Sequence, residues 1–511
     1  MPAWPTREKG ELQNPLTALG EGINTELNLH LFHTNDVHSQ LENYMRLGAL
    51  LRERRSQVEQ RGECVLTFDI GDLVDRVRPE TEATDGRMNA ALLASLGYDG
   101  WVFGNNEGLT LPKQGWPELA ATAQTRVFVS NLRNNDGGLL PGFCDWHVYW
   151  CRSLKVGVFG LTPNYDLPYA KLGVQVLPPF AIAKEVVKIL QAEGCQLIVA
   201  LSHLGLAMDR KLAQDIPGID VILGGHTHQF METAERVANT AVFQPGKHAL
   251  AFGHTVVHYH LELDRVAGVD SEPVRVSLHG AMDEAMLATY QDWLPDANEV
   301  MHRPLVHLNS PQPVIYDGES AFANLMVDAL LAAYPADVGV MMSGALTASL
   351  LPGDITREHL HAACTTPTRP LRMELTGRDL WDIVEQGAQA ETYDRPGFGF
   401  GFRGSVVGWL VLAGAAARFV PAAEVGADGA QRWRLQQLWI QGQPVEMNRL
   451  YRVVTCEYLW LAPVLPAFRN GQAIEVEPPL VREVLAAGLQ DQALRRRAVV
   501  SRYDLSREVW S

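Results

Sequence analysis

Five apolar runs in the first half of the chain each stop at residues that could bind a metal ion. The runs are Leu27–His38, Cys64–Asp72, Gly100–Glu107, Gln196–Gly205 and Val221–His228. Each has the length and the branched or aromatic content of a buried strand, and each is stopped by Gly, Asn or Asp. In open α/β sheets, ligands collect at the carboxyl ends of strands, so we expect these five ends to meet in one crevice.

Helical segments alternate with these runs. Met45–Gln60 and Ala181–Gly194 have helical periodicity, and Lys155–Thr162 predicts another strand, without a ligand at its end. Such alternation predicts a layered α/β domain over residues 27–271. We further predict a flexible arm at 1–26, a connector at 272–308 and a second, smaller α/β domain at 309–511.

The residues at the five strand ends are two carboxylates, one amide and four imidazoles: Asp36, His38, Asp72, Asn105, His203, His226 and His228. This mixture suits Mn, Zn, Fe or Co rather than Ca. Taken singly, an Asp-x-His after a strand is usually a turn with a helix cap, and a Ser-His is usually a hydrogen-bonded histidine. Two imidazoles in the Gly224–His228 block have few purely structural uses. All five blocks together predict a two-metal centre.

These blocks resemble the signature of calcineurin-like metallophosphoesterases. The residues that carry the resemblance are Asp36-Val37-His38, Gly71-Asp72, Gly104-Asn105-Asn106-Glu107, His203 and Gly224-Gly225-His226-Thr227-His228. His33–Asp36 and the complete last block narrow it to the 5′-nucleotidase and 2′,3′-cyclic-nucleotide phosphodiesterase family. The resemblance implies an α/β/β/α layered metallophosphoesterase domain, followed by a smaller α/β 5′-nucleotidase C-terminal domain.

The resemblance also implies how the ligands are shared. Asp72 would bridge two divalent ions, one held with Asp36, His38 and His228, the other with Asn105, His203 and His226. Two such ions would generate hydroxide from water, and that hydroxide would hydrolyse phosphate esters, with nucleotides as the expected substrates. The resemblance does not distinguish a 5′-monoesterase from a 2′,3′-cyclic diesterase. A non-catalytic sensor or binding protein for a phosphorylated metabolite is the alternative from a different class.

One block departs from the family pattern. The family's His, which with an Asp assists the leaving group, is Asn106 here, and the Asp position is Leu109. Asn106 can donate a hydrogen bond to phosphate but cannot deliver a proton, so diesters and activated esters should be favoured. His254 could substitute, although a structural histidine is the simpler interpretation. Asp69 and Glu107 are candidates to orient the imidazoles.

The second domain departs too. The family's NxGGIR-like segment corresponds to Met342–Thr347, which lacks both Asn and Arg, and no GGDG stretch is present. The Gly-aromatic segment Pro396–Gly404 is the predicted ligand loop, and a packed turn is an equally good interpretation. The predicted substrate-binding residues are aromatics for base stacking and an arginine for phosphate or sugar: Phe400, Phe402, Phe468 and Arg403.

Charge, cysteines and the N-terminus restrict the class of partner. The 511 residues carry a formal net charge of −16, which argues against a nucleic-acid polymer as partner, whereas metals could still capture a small phosphate ester. No signal-peptide pattern and no membrane-spanning run is apparent, so we predict a cytoplasmic location and no membrane association. In that compartment the six cysteines, none in CxxC spacing, should be reduced.

Overall fold

The computed structural model describes residues 26–399, 401–425 and 431–505. The predicted N-terminal arm lies outside the described residues except for Glu26, and Phe400 of the predicted ligand loop also lies outside them. Among the described residues, no helix combines the length and the apolar character needed to cross a membrane.

The first half of the chain alternates strands and helices. Its strands are β1 Glu26–Thr34, β2 Cys64–Asp69, β3 Gly100–Val102, β4 Arg126–Phe128, β5 Leu132–Asn134, β6 Phe143–Cys144, β7 Trp146–Cys151, β8 Leu154–Leu161, β9 Val174–Val176, β10 Leu197–Ser202, β11 Val221–Gly224, β12 Glu235–Val237, β13 Thr240–Phe243, β14 Ala251–His260 and β15 Arg265–Arg275. Its helices are α1 Leu41–Gln60, α2 Pro79–Ala83, α3 Arg87–Leu96, α4 Asn105–Thr110, α5 Trp116–Thr122, α6 Asp166–Lys171, α7 Pro179–Ala192, α8 Leu206–Asp215 and α9 Glu284–Met301.

Two sheets pack face to face in this half. The order of the first is β15-β14-β1-β2-β3-β4-β6, and that of the second is β12-β13-β11-β10-β8-β7. Leu29 and Leu31 of β1 meet Val199 and Leu201 of β10 in a core between the sheets. Separate cores lie on the outer faces, under α1, α3 and α9 on one side and under α7 and α8 on the other. The layers are therefore α/β/β/α, which confirms the predicted fold class.

The second half is a smaller α/β unit. Its strands are β16 Pro304–Leu308, β17 Val338–Met342, β18 Gly353–Thr356, β19 Pro370–Thr376, β20 Leu410–Ala413, β21 Ala415–Val425, β22 Gln431–Ile440, β23 Gln443–Pro444, β24 Leu450–Cys456, β25 Gln472–Val476 and β26 Tyr503–Leu505. Its helices are α10 Ala321–Ala333, α11 Arg357–Ala363, α12 Gly377–Gly387, α13 Ala390–Tyr393, α14 Glu457–Leu461, α15 Val481–Gln490 and α16 Gln492–Ala498. A five-stranded sheet in the order β20-β17-β24-β19-β25 lies next to a four-stranded one, and both contribute to one core.

The cysteine prediction is wrong for one pair. Cys64 at the start of β2 and Cys151 at the end of β7 form a disulfide, although 87 residues separate them in sequence. The layered packing brings the ends of two strands from different sheets together, which sequence spacing could not indicate. Disulfides persist mainly in oxidising compartments, so this bond weighs against the cytoplasmic location, which stays a prediction.

Candidate metal centre

The structure brings the sequence-predicted ligands to one rim of the two sheets. Strands β1, β2 and β3 are parallel to one another, and so are β10 and β11, so their carboxyl ends lie on the same side. Asp36 and His38 follow β1, Asp72 follows β2, and Asn105 follows β3. His203 follows β10, and His226 and His228 follow β11.

Two groups of three ligand atoms form at this rim. We call Asp36, His38 and His228 site 1, and Asp72, His203 and His226 site 2, because within each group the ligand atoms lie within 4.8 Å of one another. In site 1, His38 Nε2 lies 3.1 Å from His228 Nε2 and 3.7 Å from Asp36 Oδ1. In site 2, His203 Nε2 lies 3.2 Å from Asp72 Oδ1. Ligand atoms that share one ion at about 2.1 Å lie about 3.0–3.4 Å apart, so most of these spacings fit a metal.

Asp72 faces both sites with different oxygens. Its Oδ1 is next to His203 in site 2, whereas its Oδ2 lies 3.9 Å from His38 Nε2 in site 1. Burial by itself would raise the pKa of Asp72, but the neighbouring imidazoles outweigh it and hold the pKa well below its ordinary range. The carboxylate therefore stays ionised, as a shared ligand must.

The donor atoms in site 2 fit a bound cation. Nε2 of His203 and Oδ1 of Asn105 are buried without a hydrogen-bond partner. His203 Nδ1 lies 2.8 Å from the carbonyl oxygen of Ile70, so Nδ1 carries a proton and Nε2 is the nitrogen that would bind a metal. Burial opposes a charge on His203, yet Asp72 raises its pKa to about 10, so a metal would have to displace a proton from this ring.

The backbone at the ligands is unusual. Asp36, His38, Asp72, His226 and His228 all have left-handed φ angles, between 46° and 74°. This region is rare for residues other than glycine, and it clusters at functional sites. Gly71 and Gly104 allow the loops after β2 and β3 to approach each other. A Cβ on Gly104 would lie 2.4 Å from the backbone nitrogen of Asp72, and one on Gly71 would lie 2.9 Å from the backbone of Gly104.

The predicted imidazole-orienting roles of Asp69 and Glu107 are wrong. Asp69 accepts hydrogen bonds from Thr34 Oγ1 and from the nitrogen of Gly71. Glu107 accepts from the backbone nitrogens of Asp72 and Val74, so both carboxyls hold the loops rather than the rings. Burial, with the charge of Asp72, raises the pKa of Glu107 to about 8.

Asn106, at the departure from the family pattern, contacts a ligand. Its Nδ2 lies 3.0 Å from His38 Nδ1 and also donates to the carbonyl oxygen of Val74. His254 is occupied elsewhere, since its ring stacks on Phe32 with centroids 4.4 Å apart and its Nε2 lies 2.8 Å from His30 Nδ1. These are the contacts of a structural histidine.

The predicted substrate-binding residues Phe402, Arg403 and Phe468 already have partners within the protein, although another aromatic of the predicted loop, Phe398, is 66% exposed. Phe468 has no exposed surface, so it cannot stack on a ligand, and that prediction is wrong. Phe402 is only 7% exposed, and its ring stacks on Tyr458 with centroids 4.5 Å apart. The guanidinium of Arg403 is already paired with the Asp75 carboxylate, 2.5 Å away. The packed-turn interpretation therefore describes Phe402, whereas Phe398 of the same segment is open to a ligand.

Three residues at the rim escaped the sequence analysis. The ring of His248 lies 5.8 Å from that of His38 and 6.3 Å from that of His228, and burial lowers its pKa to about 4. It follows β13, which is parallel to β11, but it lies five positions after the strand ends at Phe243, farther from its strand end than any predicted ligand. Tyr165 follows β8, and its ring lies 6.4 Å from that of His226. Asp75, three residues after Asp72, is buried and faces His38.

A buried ion-pair network joins the two halves of the molecule beside the rim. Glu82 accepts from Arg76 at 2.6 Å and from Arg482 of the second half at 2.7 Å, and all three side chains are buried. His361 lies 2.7 Å from the carbonyl oxygen of Arg76, and Arg369 donates to the carbonyl oxygen of Leu109. The second half of the chain therefore contacts the loops that follow Asp72 and Asn105 through buried hydrogen bonds and ion pairs.

Comparisons with known proteins agree with this architecture. Residues 29–230 match the family model for calcineurin-like phosphoesterases, and residues 305–462 match that for the 5′-nucleotidase C-terminal domain. An uncharacterized metallophosphoesterase of Bacillus subtilis is 31% identical over 471 residues, covering 90% of this chain and 98% of that protein. The 5′-nucleotidase of Rattus norvegicus is 26% identical over 377 residues, covering 65% of this chain and 61% of that protein.

A solved structure has the same fold. The NAD nucleotidase of Haemophilus influenzae superposes with a TM-score of 0.65 at 16% identity, covering 94% of this chain and all of that one. The two family matches cover the same parts of the chain as the two halves of the structure. The first match also contains the two facing sheets and the strand ends that carry the candidate ligands. The chain therefore belongs to the calcineurin-like metallophosphoesterases that carry a 5′-nucleotidase C-terminal domain, a family of hydrolases.

Proposed function

We propose that the chain hydrolyses phosphate esters with two divalent ions, and that its substrates are nucleotides or related small phosphate esters. The observation that carries the proposal is the convergence of site 1 and site 2 around the two oxygens of Asp72. A mixture of carboxylate, amide and imidazole ligands suits Mn, Zn, Fe or Co. Ions held there would polarise the phosphate ester and lower the pKa of water.

The side chains around the two sites have separable roles. Asp72 would hold both ions, site 1 would complete one coordination sphere, and Asn105 would join site 2 in the other. The backbone contacts of Glu107 keep the Asp72 loop in place. Asn106 can donate a hydrogen bond to a phosphoryl oxygen but has no proton to give to a leaving group.

The missing proton donor supports a preference among esters. An alkyl leaving group needs protonation as it departs, and general-acid assistance is typically worth ~10²–10⁴ in rate. The hydrolysis rates of strained cyclic diesters and activated esters fall least when no general acid is present. We therefore propose faster turnover of 2′,3′-cyclic or aryl esters than of 5′-monoesters.

Two observations support nucleotides as substrates: the family of the second domain and an aromatic side chain next to the candidate metal ligands. The second half belongs to a domain family named after nucleotidases, and Tyr165, 38% exposed beside His226, offers an aromatic face at the metal centre. With Phe468 and Phe402 packed inside, Tyr165 is our candidate for contact with a base or another planar group.

Turnover of bis-p-nitrophenyl phosphate tests the reaction class. The purified protein is assayed after chelation, with and without added Mn, and we expect hydrolysis only with metal. A panel of nucleotides with phosphate detection then tests the substrate class. Binding of a nucleotide without any turnover, with metal bound, would replace the proposal with the sensor alternative.

A further inference from the structure

The two ring nitrogens of His38 face different surroundings. Nε2 points to the other ligands, 3.1 Å from His228 Nε2 and 3.7 Å from Asp36 Oδ1. Nδ1 points the other way, toward Asn106 Nδ2 at 3.0 Å and Asp75 Oδ2 at 3.7 Å. A metal in site 1 would thus bind His38 through Nε2.

That binding mode fixes the position of a proton. An imidazole that binds a metal through one nitrogen carries a proton on the other, and this N–H needs an acceptor that holds the ring in orientation. Asn106 presents its Nδ2 donor, which already donates to the carbonyl oxygen of Val74. The Asp75 carboxylate, only 3% exposed, faces this nitrogen at 3.7 Å, which is longer than a hydrogen bond, and its negative charge favours a proton on Nδ1.

Asp75 is itself held by the second half of the chain. The oxygen that faces His38, Oδ2, accepts a hydrogen bond from Arg403 Nη2 at 2.5 Å, across 328 residues of sequence. Its other oxygen, Oδ1, accepts from the nitrogen of Val77. Arg403 in turn is anchored because its backbone nitrogen donates to Thr366 Oγ1. One oxygen of Asp75 therefore lies between a guanidinium of one domain and a metal ligand of the other.

We propose that Arg403 is a positioning residue for metal binding in site 1, acting through Asp75 on His38. In this arrangement the C-terminal domain does more than supply substrate contacts, because it completes the support of one metal site. Site 2 needs no such help, since the carbonyl oxygen of Ile70 in the same domain orients His203. The inference rests on the proposed two-metal function.

Metal binding to the full-length protein tests this relay directly. Mn is titrated by calorimetry into chelator-stripped wild type, Arg403→Ala, Arg403→Lys, Asp75→Ala and the double variant. We expect two ions in the wild type. In Asp75→Ala we expect a Kd for one ion raised about 10–100-fold, the usual effect of losing a ligand's direct partner, and in Arg403→Ala a smaller rise for the same ion, with the other ion unchanged in both. Arg403→Lys should recover part of the loss.

The double variant separates a relay from a general structural effect. If Arg403 acts through Asp75, adding Arg403→Ala to Asp75→Ala should change the Kd no further, whereas independent effects would multiply. Arg395→Ala is the control: it removes an arginine near Arg403 in sequence whose guanidinium donates to the carbonyl oxygen of Pro463, so this variant should bind both ions as the wild type does.

The remaining outcomes distinguish failure of the Arg403 relay from failure of the two-metal function. Wild-type affinity for both ions in Arg403→Ala, or multiplicative effects in the double variant, overturns the relay but leaves the two-metal function standing. A wild type that binds no second ion overturns both. Circular dichroism checks folding, and Arg403→Gln replaces Arg403→Ala if the latter does not fold.

Discussion

The two candidate metal sites are supported by different parts of the molecule. In site 2, His203 is oriented by a backbone carbonyl at the end of β2, within the first domain. In site 1, His38 faces Asp75, which is paired with Arg403 of the second domain. A site oriented by neighbouring backbone is fixed once its sheet folds, whereas one oriented across domains also depends on how the domains dock. From this difference we expect metal binding to depend on the domain contact more strongly at site 1 than at site 2.

The largest effect should come from the residue that both sites share. We expect Asp72→Asn to lower kcat/KM by more than ~100-fold, beyond what loss of an outer partner costs, and to weaken both ions. Metal analysis together with turnover of bis-p-nitrophenyl phosphate measures this. One site still fully loaded would mean that Asp72 does not bridge.

Breaking the domain contact should separate the two sites. Glu82→Ala removes the carboxylate that pairs with both Arg76 and Arg482, and Arg76 alone keeps another, Glu483 at 3.2 Å. Removing one partner of a buried ion pair typically costs about 3–5 kcal/mol of stability. Urea unfolding measures the loss, and Mn titration should show weaker binding at site 1 alone. The matched control is Glu299→Ala, an exposed partner of Arg303, which should change stability little. Equal weakening of both sites would contradict the comparison.

A ligand specific to site 1 should affect that site selectively. His228→Ala removes one imidazole beside Asp36 and His38, so we expect one of two bound ions to be lost. His203→Ala is the reciprocal variant for site 2. If either substitution released both ions, the two sites would be cooperative rather than separable.

Acid should loosen the domain contact within a defined pH window. Burial would raise the pKa of Glu82, but Arg76 and Arg482 outweigh it and lower the pKa to about 2. A carboxyl with a depressed pKa in the folded state stabilises fully above its unfolded value, near 4.5, and loses that effect as pH falls through about 2. The stability difference between wild type and Glu82→Gln should therefore shrink from pH 5 to pH 2, and a constant difference would contradict this assignment.

The smallest effect should come from restoring the family's leaving-group pair. Asn106→His with Leu109→Asp should speed 5′-monoesters more than p-nitrophenyl esters, by less than the full ~10²–10⁴ of general-acid catalysis. Asn106 already contacts His38, so a new imidazole competes for that space. Steady-state rates for both esters, with each single variant, measure the coupling. Equal gains for both ester types would point to another proton donor, with His248 at the rim the first residue to test.

The sequence predicted which candidate ligands lie together better than it predicted the residues that support them. Continuous apolar runs such as β1 and β10 mark parallel buried strands, and parallel strands bring their ends together, so Asp36 and His203 could be found from the pattern alone. Asp75 and Arg403 are 328 residues apart, and nothing local marks their pairing. Phe468 looked like a ligand contact because composition does not report burial.

For the second domain, the sequence predicted the strands and helices but not which side chains are exposed to a ligand. Strand and helix patterns around β17 and β19 follow from local periodicity, as in the first domain. Whether Phe402 faces a ligand or Tyr458 depends on tertiary packing, which decides the orientation of loop side chains. The Cys64–Cys151 bond escaped prediction for the same reason, since it depends on how two sheets align.

The left-handed backbone at five ligands ties metal supply to the lifetime of the protein itself. Each such non-glycine residue costs about 1–3 kcal/mol, and ion binding to the folded state alone offsets that cost by mass action. Without ions, the rim should open first and expose its loops to proteases. A shortage of the right metal would then shorten the lifetime of the folded protein, and its abundance would follow the metal supply.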